Sequence, residues 1–310
     1  MVIFSKTTTT HKVIYHFLGF KISFPKRKNK KILLDMEEFI RRFSDPQKIP
    51  PAKGILRDIQ LSVLRILLET DRICKQHDIN YWIDFGTLLG AVRHKDFIPW
   101  DDDIDICMMR EDYEKFEKVF DSSKKDGNLY LDVPSDKNKY SSILRVCHKK
   151  IPTIFVDVFP CDYYLQKLNS SEKIALHNKI SNLKKHIYKK TTKNPKEKLQ
   201  HRQKLLAIRD KYIYNNQKPD PSKHPAIFWA IEFNHLWPRC VFDYETIFPL
   251  SKIEFCGHQF PCPAQTDLYL TTIYRDYMTL PASLHYHFDL NAIAFDELIK
   301  LKKYAKGENL

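Results

Sequence analysis

Four carboxylates fall within five residues at Asp101, Asp102, Asp103 and Asp105, and the last two lie in the otherwise apolar run Asp103-Ile-Asp-Ile-Cys-Met-Met109. Aspartate is depleted in strands, and like charges this close repel and raise one another's pKa. A strand that opens on such a pattern calls for a counter-charge. In an extended chain, residues 101, 103 and 105 share one face while Asp102, Ile104 and Ile106 share the other. Same-face neighbours stand roughly 6.5–7 Å apart at Cα, so two short carboxylates can reach a common hard cation. The competing reading, an acidic turn capping the next helix, suits a single Asp better than the alternating pair Asp103 and Asp105.

Two other features point the same way. Asp157 is an isolated acid inside Ile154-Phe-Val-Asp-Val-Phe159, and a neighbouring strand there would complete a carboxylate trio with Asp103 and Asp105. Upstream, Gly86-Thr87 opens a helix, and free amides at a helix N-terminus suit phosphate oxygens. Together these make the pattern of a nucleotidyltransferase-like fold. Oxygen-only ligands favour Mg²⁺, with Mn²⁺ as an alternative ion. Arg93, Lys95 and Arg145 are the candidate phosphate-binding cations, Arg being able to hold phosphate through two parallel bonds. Arg93, nearest the motif, is the strongest of the three.

Periodicity supplies the scaffold. Apolar positions at Ile55, Ile59, Val63, Ile66, Leu67 and Ile73 predict a helix over 54–77. A shorter helix is expected over 35–43. Strands are expected at 81–85, 103–109, 129–133, 142–148 and 154–159, with helices over 88–93 and 111–120 between them. This alternation argues for an α/β class with a mixed sheet flanked by helices. Residues 171–192 and 196–215 read as a basic helical hairpin broken at Asn194-Pro195. The aromatic stretch 228–242 is expected to pack under the domain, and Ile253–Pro263 reads as a strand pair. The chain divides into a basic extension (1–53), a catalytic core (54–166), the hairpin (167–218) and a C-terminal part that completes the domain (219–310).

Composition narrows the chemistry. With seven glycines and no GxGxxG or GxxxxGK[ST], neither a dinucleotide fold nor a P-loop is indicated. The net charge of +13 is concentrated in two appendages, leaving the remainder acidic. Residues 1–31 carry eight Lys/Arg and no acid, and residues 167–218 carry fifteen Lys/Arg against three acids. Such patches suit an anionic surface. The segment Val13–Phe24 is read as an amphipathic element for peripheral contact with an anionic membrane, the alternative being an ordinary strand pair. Seven scattered cysteines without a CxxC favour a reducing compartment. Cys256, His258 and Cys262 lack a fourth partner, so a hairpin with buried thiols is expected there rather than a metal site. No apolar run reaches eighteen residues. A cytoplasmic protein is expected, with a peripheral position on the inner face of the plasma membrane open to it.

The run from Asn80 to Ile106, Asn-Tyr-Trp-Ile-Asp-Phe-Gly-Thr-Leu-Leu-Gly-Ala-Val-Arg-His-Lys-Asp-Phe-Ile-Pro-Trp-Asp-Asp-Asp-Ile-Asp-Ile, closely resembles the signature of the LicD family. The resemblance continues at Asp112–Phe116, Val156–Pro160, Ile247–Phe255 and Tyr274–Tyr277, covering roughly residues 54–285. Bacterial members decorate cell-surface polysaccharides with phosphocholine, and the similar fukutin-related proteins transfer ribitol phosphate. The resemblance implies Asp101, Asp103 and Asp105 as metal-binding acids and Asp157 as the acid of the later strand, either a metal ligand or the base on the acceptor hydroxyl. It implies transfer of a phospho-alcohol from CDP-choline or another CDP-alcohol to a glycan acceptor such as lipopolysaccharide, capsule or teichoic acid. Trp82, Trp100, Tyr163, Tyr164, Trp229 and Trp237 are available to a choline cage. The chain departs from the family at Tyr274-Arg275-Asp276, where many members have Tyr-Gly-Asp, which argues against a tight turn. Two rival functions are a nucleotidyltransferase acting on RNA or a sugar phosphate, and a non-catalytic adaptor at the membrane. No recognised RNA-binding motif supports the first, so no specific nucleic-acid partner is expected, and the intact carboxylate set opposes the second.

Overall fold

The computed structural model describes residues 4–8, 12–17, 20–25, 41, 44–133, 143–187, 195–233, 241–281, 293–308 and 310. Strands β1 (Phe4–Thr8), β2 (Lys12–Phe17) and β3 (Phe20–Pro25) form an antiparallel sheet of their own. The segment expected as an amphipathic surface element is therefore a hairpin of β2 and β3. The basic run 26–31 lies outside the described residues, as does the helix expected over 35–43 apart from Arg41.

The main body begins with helix α1 (Ile55–Gln76), strand β4 (Trp82–Ile83), helix α2 (Phe85–His94), strand β5 (Ile104–Met109) and helix α3 (Arg110–Ser123). Strands β6 (Leu129–Asp132), β7 (Leu144–His148) and β8 (Ile151–Tyr163) follow, then helices α4 (Ser170–Ile187) and α5 (Pro195–Ile208). The C-terminal part adds strands β9 (Ile227–Trp229) and β10 (Val241–Phe242), helix α6 (Tyr244–Ile247), the hairpin β11 (Ser251–Phe255) and β12 (His258–Cys262), and helices α7 (Thr266–Tyr274) and α8 (Phe295–Ala305). The expected α/β architecture with a mixed sheet is present, and two helices, α4 and α5, follow the core where a hairpin was expected. Its expected break at Asn194 lies outside the described residues.

Strand β8 is the axis of a seven-stranded sheet. One edge pairs in parallel with β5, which in turn pairs antiparallel with β4. The other edge is shared by β7 along its first half and β9 along its last three residues, both antiparallel. Alternation sends Ile104, Ile106, Val156 and Val158 to one face, where all four are fully buried. Helices α1 and α3 pack against β5 and β8, with α1 burying Ile59, Val63, Ile66, Leu67 and Ile73. Helix α8 lies along α1, and the Thr153 amide at the start of β8 donates to Glu297 on that helix (2.9 Å). Asp105, Asp157 and Arg145 share the opposite face.

Two devices lock the elements around that face. Arg57 on α1 grips Asp96 through two 2.8 Å bonds, and Gln60 donates to the Asp101 carbonyl (2.9 Å). The loop from α2 into β5 is thereby pinned at both ends. At the far end of β8, Arg110 bonds both Asp162 (2.9 and 3.0 Å) and Glu232 (2.6 and 3.0 Å), and Arg209, just past α5, adds a bond to Asp162 (2.9 Å). Charges this deeply buried persist only when fully paired, so this quartet ties the chain just past α5 to the sheet.

Several boundaries differ from the sequence reading, and β8, expected over 154–159, runs from Ile151 to Tyr163. The strand expected over 81–85 shortens to Trp82–Ile83, because Asp84 caps α2 and Phe85 turns the chain at φ 44°. Strand β5 starts at Ile104, so Asp101, Asp102 and Asp103 belong to the preceding loop. Arg275 adopts φ 62°, ψ −112° and ends α7. A bend is therefore present where the departure from Tyr-Gly-Asp argued against one, and an arginine at positive φ makes it. No helix among the described residues is long and apolar enough to cross a membrane. Cys256, in the turn, and Cys262, on β12, belong to the expected β11–β12 hairpin, Cys262 buried and Cys256 only partly so.

Replacing Gly90 with Ala would set a Cβ 2.6 Å from the Asp96 carbonyl oxygen and 2.9 Å from the Ile98 nitrogen, both backbone atoms. Urea unfolding of Gly90→Ala is expected to show a loss of about 1–3 kcal/mol. Arg275→Gly, by relieving a positive φ, is expected to raise stability by about 1 kcal/mol in the same assay.

Candidate active site

Parallel pairing of β5 with β8 sets Asp105 directly opposite Asp157, and antiparallel pairing of β7 with β8 sets Arg145 opposite Asp157 on its other side. Side chains in register on adjacent strands point to the same face, so Arg145, Asp157 and Asp105 form one row across three strands. Asp103, in the loop just before β5, folds in beside them. A ligand oxygen from each of Asp103, Asp105 and Asp157 lies within 4.8 Å of the others. A second set, Asp101, Asp102 and Asp103, meets the same limit. Strand alternation would have turned Asp102 away, but as a loop the segment lets all three carboxylates converge. Among the described residues these two sets, joined at Asp103, are the groups able to hold a metal ion.

The electrostatics fit a cation. Desolvation, followed by repulsion from Asp103, Asp157 and Asp101, pushes the Asp105 carboxyl well above the usual carboxylate range. Arg145 answers part of this charge, with Nε 2.5 Å from Asp157 Oδ1 and a terminal nitrogen 2.8 Å from Oδ2. Its guanidinium also stacks over Phe155 at 3.6 Å. Hard oxygen ligands crowded to mutual repulsion are the donor set that Mg²⁺ or Mn²⁺ takes.

The turn at 84–87 frames Asp105 on both sides of its main chain. The Asp105 amide donates to Thr87 Oγ1 (2.9 Å), and the Asp84 amide donates to the Asp105 carbonyl (3.0 Å). Gly86 lies flush against the Asp101 carboxylate, where any Cβ would collide with it. Of the expected phosphate-binding turn, Gly86 thus borders the Asp101 carboxylate and Thr87 holds the main chain of Asp105.

The three candidate cations separate. Arg145 reaches the site. Arg93 is buried, donates to the Thr279 carbonyl (2.8 Å), and is lowered by that burial to about 10. Lys95 is mostly exposed and pairs with Glu254 (3.1 Å). The cation nearest the motif in sequence is therefore committed to holding the 275–279 bend, whereas register places the more distant one on Asp157.

Two residues of the site lay within the family resemblance but carried no assigned role in the sequence reading. Asp84 is fully buried, and desolvation lifts its pKa to about 6 although several hydrogen bonds oppose the shift. Tyr274, at the end of α7, is held protonated by burial and by the nearby charges of Asp84, Asp105, Asp101 and Asp103. A lone Asp in a predicted strand and a tyrosine 169 positions beyond Asp105 gave no spacing signal. Of the aromatic candidates, Trp82 and Trp229 are buried in the core, Trp237 lies outside the described residues, and Tyr163 stacks on Tyr244. Trp229 packs with Phe85, Phe159 and Phe233 in a cluster with ring centroids 4.7–6.0 Å apart.

An α/β domain with a mixed sheet, a helix opening on Gly-Thr and carboxylates gathered from two parallel strands is a nucleotidyltransferase-like arrangement. Residues 78–206 match the family model described as LicD/FKTN/FKRP, nucleotidyltransferase domain. The chain therefore carries a LicD family domain. Lipopolysaccharide cholinephosphotransferase LicD of Haemophilus influenzae is 48% identical over 68 residues, 22% of this chain and 26% of that protein. An uncharacterized protein of Rickettsia prowazekii is 32% identical over 142 residues, 40% of this chain and 53% of that protein. Ribitol 5-phosphate transferase FKRP of Homo sapiens is 42% identical over 60 residues, 18% of this chain and 12% of that protein. The chain spans from about a quarter to about half the length of the first curated relatives it matches.

A raised carboxyl pKa is a stability statement with a definite sign. Asp105 and Asp84 ionise in the unfolded chain near 3.8 but stay protonated to higher pH in the fold. Their contribution is fully present below pH ~4 and is lost as pH rises through the folded values. In EDTA, Asp105→Asn is expected to gain stability on the wild type as pH rises above ~4, because it removes a carboxyl that the fold resists ionising. Added Mg²⁺ should reverse that order. Denaturant titrations at stepped pH provide the check.

Proposed function

We propose that this protein transfers a phospho-alcohol, phosphocholine by preference, from a CDP-alcohol to a hydroxyl of a cell-surface glycan, with Mg²⁺ or Mn²⁺ as its resident ion. The observation that carries the reading is the meeting of Asp103, Asp105 and Asp157 oxygens within 4.8 Å. The LicD family domain around them supports it, as do similar segments in a cholinephosphotransferase and a ribitol 5-phosphate transferase. Asp103, Asp105 and Asp157 would hold the ion, with Asp101 beside them. Once bound, the ion supplies charge neutralisation on the donor pyrophosphate and on the departing nucleotide.

The chain's own residues do the rest by positioning and electrostatics. Arg145, already clamped on Asp157, offers its remaining N–H groups to a phosphate oxygen of the donor. The turn at Gly86-Thr87 lies close against the Asp101 carboxylate because residue 86 has no side chain, so the first amides of α2 border the place of the donor phosphate. The attacking glycan hydroxyl loses its proton as its oxygen bonds to the phosphorus bearing the alcohol, and CMP leaves with the electrons of the broken P–O bond. Asp157 borders that path and is the candidate acceptor of the proton if it does not ligate the ion. Arg93 and Lys95, committed to Thr279 and Glu254, support the surrounding loops. The basic N-terminal and hairpin segments suit a peripheral position at an anionic membrane surface, where a lipid-linked acceptor would be found.

CMP release followed by mass spectrometry over a panel of CDP-choline, CDP-ethanolamine, CDP-glycerol and CDP-ribitol tests the reading. Turnover is expected with CDP-choline and Mg²⁺. EDTA, Asp103→Ala and Asp105→Ala should each reduce it by roughly 10²-fold or more. Turnover of CDP-ribitol or CDP-glycerol alone would overturn the choline preference and leave the chemistry standing. Unchanged turnover in both Asp variants would refute the site.

A further inference from the structure

We infer that Asp84 is the positioning residue of the site, and that through it the C-terminal helix α7 sets the place of Asp105. The inference rests on the metal reading above and concerns a residue outside the proposed ligand set.

Every polar atom of Asp84 is committed. Its Oδ1 accepts from the Phe85 amide (2.6 Å), and its Oδ2 accepts from both the Cys107 thiol (2.8 Å) and the Tyr269 hydroxyl (2.6 Å). The Tyr269 hydroxyl in turn accepts from Trp229 Nε1 (3.3 Å). Asp84 itself is fully buried, at 0% exposure. A buried carboxylate costs free energy that an apolar side chain would not, so the position demands more than core filling. What the carboxylate holds is the 84–87 turn. Phe85 follows it in a left-handed conformation, φ 44°, that a non-glycine residue keeps only where its surroundings over-determine it.

That turn is the frame of Asp105. The Asp84 amide donates to the Asp105 carbonyl (3.0 Å), and Thr87 Oγ1, three residues on, accepts the Asp105 amide (2.9 Å). Cys107, the thiol on Oδ2, lies two residues along β5 on the same face as Asp105. Asp84 therefore grips β5 by side chain and main chain at once. Its third partner, Tyr269, comes from α7, beyond the residues 78–206 that match the family model. Tyr274 on the same helix faces the carboxylates. A strut running Trp229, Tyr269, Asp84, Asp105 thus ties the C-terminal part to the proposed metal ligands. Asparagine at position 84 would keep the Oδ1 acceptor but turn a donor toward the thiol and the hydroxyl, and Asp105 would lose its fixed position. Residues that orient ligating carboxylates typically cost 10–100-fold in metal affinity or activity when replaced.

The full chain is titrated with Mn²⁺, free ion being read by electron paramagnetic resonance, for wild type, Asp84→Asn, Tyr269→Phe, the double variant and Asp105→Asn. Circular dichroism and melting temperature confirm the folded state of each. Asp84→Asn is expected to weaken Mn²⁺ by about 10–100-fold and Tyr269→Phe by less. The double variant should match Asp84→Asn, because Tyr269 acts through Asp84. Wild-type Mn²⁺ affinity in folded Asp84→Asn would overturn the inference. Should that variant not fold, wild-type affinity in Tyr269→Phe would overturn it instead. Wild-type affinity in Asp105→Asn would refute the metal reading, which keeps the two failures apart.

Discussion

The in-register parallel pairing of Asp105 on β5 with Asp157 on β8 is the constraint on which the rest of this molecule turns. Parallel neighbours stand about 4.8 Å apart, too close for two carboxylates to sit on one apolar face without a cation. Arg145 on β7 takes one side of Asp157, and the crowding that remains falls on Asp105. The other face of the same strands shows what the site costs to hold. Ile104, Ile106, Val156 and Val158 are fully buried there, so a slip of one residue would exchange acids for aliphatic side chains and lose the core. Register is therefore enforced by apolar burial on the far face, and the functional face inherits its precision.

Around this pair, α1 and the turn that opens α2 act as a clamp. Arg57 and Gln60 pin the loop that delivers Asp101 and Asp103, and the 84–87 turn fixes Asp105 from the opposite side. Strain sits at the margins of the same region, at Phe85 and at Arg275, both with positive φ. Such strain is tolerated where packing and hydrogen bonds leave the backbone no alternative. Asp84 and Tyr269 provide those bonds at the first, and Arg93, bonded to the Thr279 carbonyl, closes the bend at the second.

The sequence made the α/β class and the central carboxylates legible, because both are written in short-range patterns: helical spacing in 54–77 and an alternating Asp pair entering an apolar run. Asp157 was legible for the same reason, a lone acid among Ile, Val and Phe. What stayed hidden depends on register and on distance along the chain. Nothing local distinguishes Arg145 from Arg93, yet pairing of β7 with β8 brings the former to Asp157 and leaves the latter on Thr279. Asp84 read as one more strand residue, since its role arises from Tyr269, 185 positions away. Asp102 was assigned to the wrong face because the acidic run is a loop until Ile104. The N-terminal segment shows a further limit: mixed apolar and basic residues are compatible with both an amphipathic surface element and the hairpin that forms.

The most direct test of the account is where a divalent ion binds. Crystals of the full chain grown with Mn²⁺ and a CDP-alcohol should show an anomalous peak between the carboxylates of Asp103, Asp105 and Asp157, with donor phosphate oxygens on its open side. A peak elsewhere on the molecule, or none at this site at saturating Mn²⁺, would contradict it.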